Sequence, residues 1–301
     1  VEAVRNASTA EIVKNSKPFL ERALKLGTTT IEIKSGYGLS LENEQTLLEA
    51  AEFLKKEVPI EIVKTFLGAH AIPKNLSQDD YVHDVLEKQL PALHTKAEFC
   101  DVFMDEGYFT KEETIAICEK AKSLGMKIKL HADELAETGG AQTAVELGAF
   151  SADHLLKISD QGMRALASNR GLPVTVATLL PITALSLRAD YAPARKLIEA
   201  GCAVAIATDC NPGSAMSENM QFALTLAVIG MQMSPKEALT AATLNGAAAL
   251  DRAQTHGSIE KNKRADFVLY DIPRLEYLPY HIAVSDVMAV VKSGTIVSGS
   301  I

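Results

Sequence analysis

The segment KIKLHADELAETGG, residues 127–140, places an imidazole and three carboxylates directly after an apolar run typical of a buried strand. His131 ends the run, and Asp133, Glu134 and Glu137 follow it closely. An imidazole can bind a metal ion or transfer a proton, and so can a carboxylate. Because a single histidine at a strand end is more often a core residue than a ligand, its neighbours in space decide between these interpretations.

Two further polar residues end later apolar runs. His154 closes SADH, 23 residues after His131 (154 − 131), and Asp209 closes AIATD, 55 residues after His154 (209 − 154). An imidazole and a carboxylate that converge on one mouth are suitable ligands for a divalent or trivalent ion, whose charge offsets the cost of burying the carboxylate. The pattern therefore indicates a candidate metal site that contains His131 and Asp209.

The order of the apolar runs indicates which fold could bring these residues together. Strand-like runs alternate with segments of helical periodicity, such as 41–57 and 111–125. This alternation requires parallel strands with helices outside the sheet, as in a (β/α) barrel or an open doubly wound sheet. The predicted strands span residues 28–36, 60–70, 99–107, 127–134, 151–156, 172–178 and 202–209.

Two features favour an α/β fold of the (β/α)8, TIM-like barrel type. Ala203, Ala205 and Ala207 share one face of the last strand with Asp209, and they are small enough to line a barrel interior. Polar residues also end six predicted strands, where the active site of such a barrel lies: Lys34, His70, Glu106, His131, His154 and Asp209. A closed barrel needs eight strands, so we expect a first strand before Val1, because the sequence opens on a helical segment.

The pattern changes after the paired helical segments 217–232 and 235–250. Two short β-rich stretches follow, and the second is a predicted hairpin around Ser293 and Gly294. We predict a catalytic barrel domain that lacks its first strand over residues 1–255. Residues 256–301 are predicted to be the C-terminal part of a small β-sandwich domain.

Composition excludes several classes of function. The net charge is −8 and the sequence has no stripe of Lys and Arg, which argues against a nucleic-acid partner. No window has the roughly 18 uninterrupted apolar residues that a membrane span needs. The four cysteines form no CxxC pair, so we expect reduced thiols and a cytoplasmic protein. A small-molecule substrate is the expected partner.

Five short motifs together carry a resemblance to a known family. HADE (131–134), SADH (151–154) and TDCNPG (208–213), with SGYGL (35–39) and LGAHA (67–71) upstream, resemble the amidohydrolase superfamily over nearly the whole chain. The resemblance implies one zinc or iron ion held by an HxH pair on the first barrel strand, a histidine on the fifth and an aspartate on the eighth. The last two ligands would be His131 and Asp209. The HxH pair is absent from this sequence, which agrees with a first strand before Val1.

The activity implied is hydrolysis of the cyclic amide of 4-imidazolone-5-propanoate, an imidazolone ring with a propionate tail, to N-formimidoyl-L-glutamate in histidine degradation. Glu134 would transfer the proton from the attacking water to the ring nitrogen, because an amide anion is a very poor leaving group. His154 would orient the water or stabilise the oxyanion, and Asp209 would also belong to the catalytic set. The alternative for Glu134 is helix N-capping, which suits Asp133 and Glu137 better.

The resemblance also implies the substrate contacts. Tyr37 and His70 would contact the propionate carboxylate, and Asn211 would hydrogen-bond the ring, with Gly213 and Ser214 beside it. Lys34 is a further candidate cation for the carboxylate, and Glu106 is a candidate to orient His131 or another metal ligand without binding the metal itself. A homodimer is expected from the family.

Several alternatives stay open at this point. A deaminase or another cyclic amidase on the same scaffold would share the metal ligands. A barrel that binds an imidazole-like ligand without turnover would share the pocket. A Schiff-base aldolase would use Lys34, Lys64 or Lys129, and a phosphate-binding barrel would need glycine-rich loops after its last two strands.

Overall fold

The computed structural model describes residues 1–300 of the chain. All seven strands expected from the apolar runs are present and form one sheet, in which each strand pairs in parallel with the next along the chain. Their bounds are β1 Thr30–Lys34, β2 Glu61–Ala69, β3 Phe99–Met104, β4 Lys127–Ala132, β5 Ser151–His154, β6 Val176–Leu179 and β7 Val204–Ile206.

Helices connect successive strands, as the periodicity predicted. Three of them follow a Ser or Thr whose side chain and a glutamate three residues later cap each other's backbone N–H groups, at Ser8, Thr110 and Ser234. The helices are α1 Glu2–Arg5, α2 Thr9–Lys25, α3 Leu41–Glu57, α4 Gln78–Asp84, α5 Leu90–Leu93, α6 Lys111–Ser123, α7 Gly140–Glu146, α8 Asp160–Ser168, α9 Pro181–Leu187, α10 Ala194–Glu199, α11 Met220–Ile229, α12 Pro235–Thr240, α13 Gly246–Ala249 and α14 Tyr277–Tyr280, with π-helical turns at Val85–Gln89 and Ala241–Asn245.

The sheet curls into the larger part of a TIM-like barrel, which confirms the predicted fold class. Within residues 1–300, β1 and β7 each pair with a strand on one side only. Alternation along the strands separates the two faces of the sheet. Ile128 and Leu130 of β4 belong to the main hydrophobic core under the helices, whereas Lys129 bonds Glu32 on the inner face. The predicted inward direction of His131, two residues after Lys129, follows from the same alternation.

The last strand shows the same alternation. Val204 and Ile206 belong to the core beneath the helices, while Ala205 packs against Val176 of β6 on the other face. Ala203 packs with this second group too. The alanine-lined inner face predicted for β7 is therefore present.

A separate three-stranded antiparallel sheet follows the barrel strands. It consists of β8 Phe267–Tyr270, β9 Val287–Lys292 and β10 Thr295–Gly299, in the order β10-β9-β8. Ser293 and Gly294 both have positive φ, of 50° and 80°, as the tight turn of a twisted hairpin requires. The hairpin prediction is confirmed, while the division into domains at residue 255 stays a prediction.

The small sheet packs beneath the barrel through a second hydrophobic cluster. Leu20 and Leu24 of α2, Ile62 of β2 and Val290 of β9 are all buried there. Their shared burial fixes the small sheet against the amino-terminal ends of the barrel strands, away from the predicted active site.

A group of ion pairs reinforces this amino-terminal face. The guanidinium of Arg252 donates to Glu61 at 3.0 Å and to Glu98 at 2.7 Å. His256 contacts the other oxygen of Glu61 at 2.9 Å, and Lys292 of β9 pairs with Asp266. In (β/α) barrels this face serves stability more than chemistry.

Replacing Arg252 by Met is expected to lower the free energy of unfolding by about 2 kcal/mol, because Glu61 and Glu98 lose their shared partner while partly buried. Urea denaturation measures the change. Lys111→Met is the matched control, since its pair with Glu146 is exposed and its loss costs under ~1 kcal/mol. Equal losses in the two variants would mean that the cluster does not stabilise this face.

Candidate active site

Three of the predicted catalytic and ligand residues meet at the carboxyl ends of β4 and β5. The rings of His131 and His154 have centroids 5.1 Å apart, and both side chains are buried. Oε1 of Glu134 lies 3.4 Å from Nδ1 of His154. The structure thus places a carboxylate within reach of one imidazole, with a second imidazole directly beside it.

The backbone at these strand ends is strained. Asp133, His154 and Asp209, each at or just after a strand end, have φ of 49°, 76° and 50°. This left-handed region is rare for residues other than glycine, and such strain clusters at functional sites. The positions of the strain agree with a mouth formed by β4, β5 and β7.

His131 is supported by a carboxylate that the sequence did not single out. Its Nδ1 lies 3.1 Å from Oδ2 of Asp101 on β3, an ion-pair distance without hydrogen-bond geometry. Burial alone would lower the pKa of His131, but Asp101 raises it to about 9. Glu106, predicted for this supporting role, is exposed, and the carboxylate beside His131 is that of Asp101.

Beneath His131 lies an interior charge cluster, formed by Glu32, Lys34, Asp101, Lys129 and Asp153. Nζ of Lys34 donates to Asp101 at 2.6 Å, to Glu32 at 3.1 Å and to Asp153 at 3.3 Å, and Lys129 donates to Glu32 at 2.7 Å. Burial disfavours the ammonium of Lys34, but the three carboxylates raise its pKa well above the ordinary value. Lys34 is therefore committed to the barrel interior and is not a free cation for a substrate carboxylate.

Two observations bear on whether these residues fit a metal ion. Ligand atoms of Asp101, His131 and Asp153 lie within 4.8 Å of one another, although the ammonium of Lys34 already contacts both carboxylates. Nδ1 of His131, Nδ1 of His154 and Oδ1 of Asp153 are buried without hydrogen-bond partners. Unsatisfied buried atoms at a polar mouth are the expected arrangement where a ligand or ion completes the site. The residues present fit a metal.

Asp209 follows β7 and faces the same mouth. One of its carboxylate oxygens accepts a hydrogen bond of 2.6 Å from Thr183 of α9. Burial lowers the pKa of His154, and the charges of Glu134 and Asp209 act in the opposite direction. Burial also lowers the pKa of His70, and the charge of Asp209 opposes this shift. The joint metal-binding role of His131 and Asp209 stays a prediction.

The residues expected to bind substrate form a second group at the mouth. The hydroxyl of Tyr37 donates to Oδ1 of Asn211 at 3.2 Å, and this oxygen also accepts from the N–H groups of Gly213 at 2.8 Å and Ser214 at 2.9 Å. The rings of Tyr37 and His70 meet edge to face, with centroids 5.3 Å apart. The structure thus brings all five predicted residues together, while their contacts with substrate stay predictions.

The loop that carries Tyr37 is held by another carboxylate that the sequence did not reveal. Glu44, fully buried in α3, accepts hydrogen bonds of 2.8–2.9 Å from the N–H groups of Gly36, Gly38 and Leu39. Arg5 donates to the carbonyl of Gly38 at 2.8 Å from the other side. The loop is therefore fixed through its backbone, which leaves the ring of Tyr37 free to face the mouth.

One signal in the sequence could have revealed the missed carboxylates. Asp101 interrupts the apolar run FCDVFM and shares its face with Phe99 and Phe103. Because a buried charge is costly without a partner, an acid on the inner face of a buried strand indicates a cation nearby. The sequence offered no such signal for Glu44, which lies among other acids in α3.

The fold and the site define a class of protein. A profile of the amidohydrolase family matches residues 8–301, so the chain belongs to the amidohydrolase family. The structure resembles that of 5-methylcytosine deaminase from Klebsiella pneumoniae, with a TM-score of 0.79 over 99% of this chain and 77% of the other; at 12% identity this shows the fold alone.

Two relatives with higher sequence identity are both named imidazolonepropionase. The chain is 46% identical to the imidazolonepropionase of Alkaliphilus oremlandii (strain OhILAs) over 302 residues, which covers 99% of this chain and 71% of the relative. It is also 46% identical to the imidazolonepropionase of Clostridium tetani (strain Massachusetts / E88) over 301 residues, with the same coverage. These comparisons confirm the predicted resemblance.

Proposed function

We propose that the chain is an imidazolonepropionase, which hydrolyses the cyclic amide of 4-imidazolone-5-propanoate to N-formimidoyl-L-glutamate in histidine degradation. The observation that carries this proposal is 46% identity to proteins of that name over 99% of the chain. The site supports it, because Glu134 lies 3.4 Å from His154 at the mouth that also holds His131.

We further propose that the site takes one zinc or iron ion, with His131 and Asp209 as two of its ligands. This sequence contains no His-x-His pair to supply the other two expected ligands. Nitrogen and oxygen ligands suit either metal. When bound, the ion supplies Lewis-acid chemistry, which activates a water and polarises the amide carbonyl.

The residues of this chain would divide the remaining work. Glu134 accepts the proton of the attacking water and passes it to the ring nitrogen as the C–N bond breaks, so the proton balance closes without another acid. His154, beside Glu134, orients the water or stabilises the charge that develops on the carbonyl oxygen. Tyr37 and His70 contact the propionate, and Asn211, Gly213 and Ser214 contact the ring.

One experiment tests the activity. The full-length protein, loaded with zinc or iron, is incubated with the imidazolone, and products are identified by mass spectrometry together with an ammonia assay. We expect N-formimidoyl-glutamate without ammonia. Release of ammonia would instead support a deaminase on the same scaffold, and binding without any product would support a ligand-binding barrel.

The aldolase alternative is weakened by the ion pairs of its candidate nucleophiles. Lys34 contacts Asp101 at 2.6 Å, and Lys64 contacts Glu52 at 2.7 Å. Lys129, also buried, contacts Glu32 at 2.7 Å. A Schiff-base lysine needs a depressed pKa, which a carboxylate partner opposes.

We also propose a cellular location and an oligomeric state for the enzyme. Within residues 1–300, no helix is long and apolar enough to cross a membrane. All four cysteines are free thiols, which supports a cytoplasmic location. A homodimer is proposed from family resemblance, and size-exclusion chromatography with light scattering would test it.

Substitution of Gly213 by Ala is expected to raise KM for the imidazolone about tenfold, with a smaller change in kcat. An added Cβ would lie 2.9 Å from the Tyr37 hydroxyl and 3.1 Å from Oδ1 of Asn211, so it would displace the group proposed to bind the propionate. Steady-state kinetics measure the effect. Gly246→Ala is the control, since the nearest atom to its Cβ is 3.5 Å away.

A second variant separates crowding from other effects of this substitution. Tyr37→Phe removes the hydroxyl, so it relieves the clash while losing the contact of that hydroxyl. In a Tyr37→Phe background, Gly213→Ala should add little further increase in KM. An undiminished increase would show that Gly213 acts independently of Tyr37.

A further inference from the structure

Asp105, the first residue after β3, makes an unusual set of hydrogen bonds. Its carboxylate accepts from the N–H groups of Glu134 at 2.7 Å, Leu135 at 2.9 Å and Ala136 at 3.0 Å. It also accepts from the N–H of Glu106 at 2.8 Å. Asp105 is only 5% exposed, so these bonds are shielded from water.

Little else holds the backbone that Asp105 binds. Within residues 1–300, the N–H groups of 134–136 donate to no other acceptor, and the segment lies outside any helix or strand. Leu135 is 49% exposed and Ala136 is half-buried, so Glu134, with a side chain 10% exposed, is the one residue of the three whose side chain is packed in the interior. The residue just before it, Asp133, is in the left-handed region with φ of 49°. A strained segment with so little packing needs an attachment through its backbone.

A second carboxylate attaches only the far end of the same loop. Asp133 accepts from the N–H groups of Thr138, Gly140 and Ala141, each at 3.0 Å, and so joins the loop to the start of α7. It accepts nothing from the N–H groups of 134–136 within the described residues. Asp105 therefore provides the attachment of the Glu134 backbone to the neighbouring strand.

We propose that Asp105 is a positioning residue for the reaction: it binds the backbone of residues 134–136 and thereby holds the Glu134 carboxylate beside His154. This inference rests on the proposed function, in which Glu134 transfers the proton. Since a displacement of about 1 Å can cost on the order of 100-fold in rate, loss of the attachment should reduce turnover without removing any reacting group.

The first test is independent of turnover. Asp105→Asn keeps the size of the side chain but turns an NH2 group towards N–H donors, so it cannot accept all the bonds. Hydrogen exchange by mass spectrometry on the full-length, metal-loaded protein should show amides 134–136 exchanging about tenfold faster or more, while α6 is unchanged. Glu113→Gln is the matched control, because Glu113 caps the neighbouring α6 through the N–H of Thr110.

The second test connects the attachment to Glu134. We expect Asp105→Asn to lower kcat about 10- to 100-fold, with KM and metal content within twofold of the wild type. In a Glu134→Gln background the same substitution should lower kcat less than twofold further, because the group it positions is already inactive. If Asp105→Asn does not fold, Asp105→Glu, which displaces the carboxylate by one methylene, is measured in its place.

The possible results of the two tests decide for or against Asp105 as a positioning residue. Unchanged exchange at 134–136 would overturn the inference, as would unchanged kcat or an equal loss of kcat in both backgrounds. If the wild-type protein does not open the imidazolone ring, the proposed function fails, and hydrogen exchange alone then decides whether Asp105 holds the loop. Faster exchange together with a loss of kcat that disappears in Glu134→Gln supports the assignment.

Discussion

Glu134→Gln is expected to lower kcat for the imidazolone by about 100-fold or more, while the protein keeps its fold and its metal. Glutamine has nearly the same size as glutamate but cannot accept a proton from water at neutral pH. Without that proton the ring nitrogen would leave as an amide anion, which is a very poor leaving group. The effect should therefore fall on kcat and leave KM nearly unchanged.

Steady-state kinetics and metal analysis by atomic absorption measure this result on the full-length enzyme. Glu137→Gln is the matched control, because Glu137 belongs to the same loop but is exposed. The control should retain kcat within about twofold. If Glu134→Gln keeps full turnover, Glu134 has no part in the mechanism, and the inference for Asp105 as its positioning residue is lost as well.

Lys34→Met is expected to cause the largest loss of stability, about 3–5 kcal/mol in the free energy of unfolding. The substitution leaves Asp101 and Asp153 buried without the ammonium that contacts them at 2.6 and 3.3 Å. An unpaired buried carboxylate costs far more than the net gain from an intact pair. Urea denaturation at neutral pH measures the loss.

The control for this prediction is a lysine with an exposed partner. Lys17 contacts Glu57 at 2.7 Å with both side chains at least 35% exposed, so Lys17→Met should leave the free energy of unfolding nearly unchanged. A comparable small change in Lys34→Met would show that water or rearrangement already compensates the interior charge cluster.

The difference in stability between the wild type and Lys34→Met is expected to depend on pH. Burial raises the pKa of Glu32, but Lys129 and Lys34 outweigh this and lower it from 4.5 to about 2. A depressed carboxyl pKa contributes stability that is complete above the unfolded value and is lost as pH falls through the folded value. The wild type should therefore lose this contribution as the pH falls from about 5 to 2, and its advantage over Lys34→Met should narrow in that range. A constant difference would contradict the electrostatic explanation.

Much of the site could be predicted because it depends on local pattern. Strand periodicity alone indicated the inward face of β4 and the alanine face of β7, and the parallel order placed polar strand ends at one mouth. His131, His154 and Asp209 could be selected on those grounds. The proposed catalytic role of Glu134 and the proposed substrate contacts of Tyr37 came from the motifs that resemble the family.

The sequence by itself determined the seven strands, their order and the polar residues at their ends, since apolar spacing of 2 or 3.6 residues is written locally in the chain. Only the tertiary structure decided the supporting carboxylates. Asp105 binds amides 29 to 31 positions away, and Lys34 bonds Asp101 and Asp153 across 67 and 119 positions. Such partners depend on which strands lie side by side and how far each extends. No local pattern specifies this. Glu106 was therefore expected to support His131, whereas the carboxylate that lies beside His131 is that of Asp101.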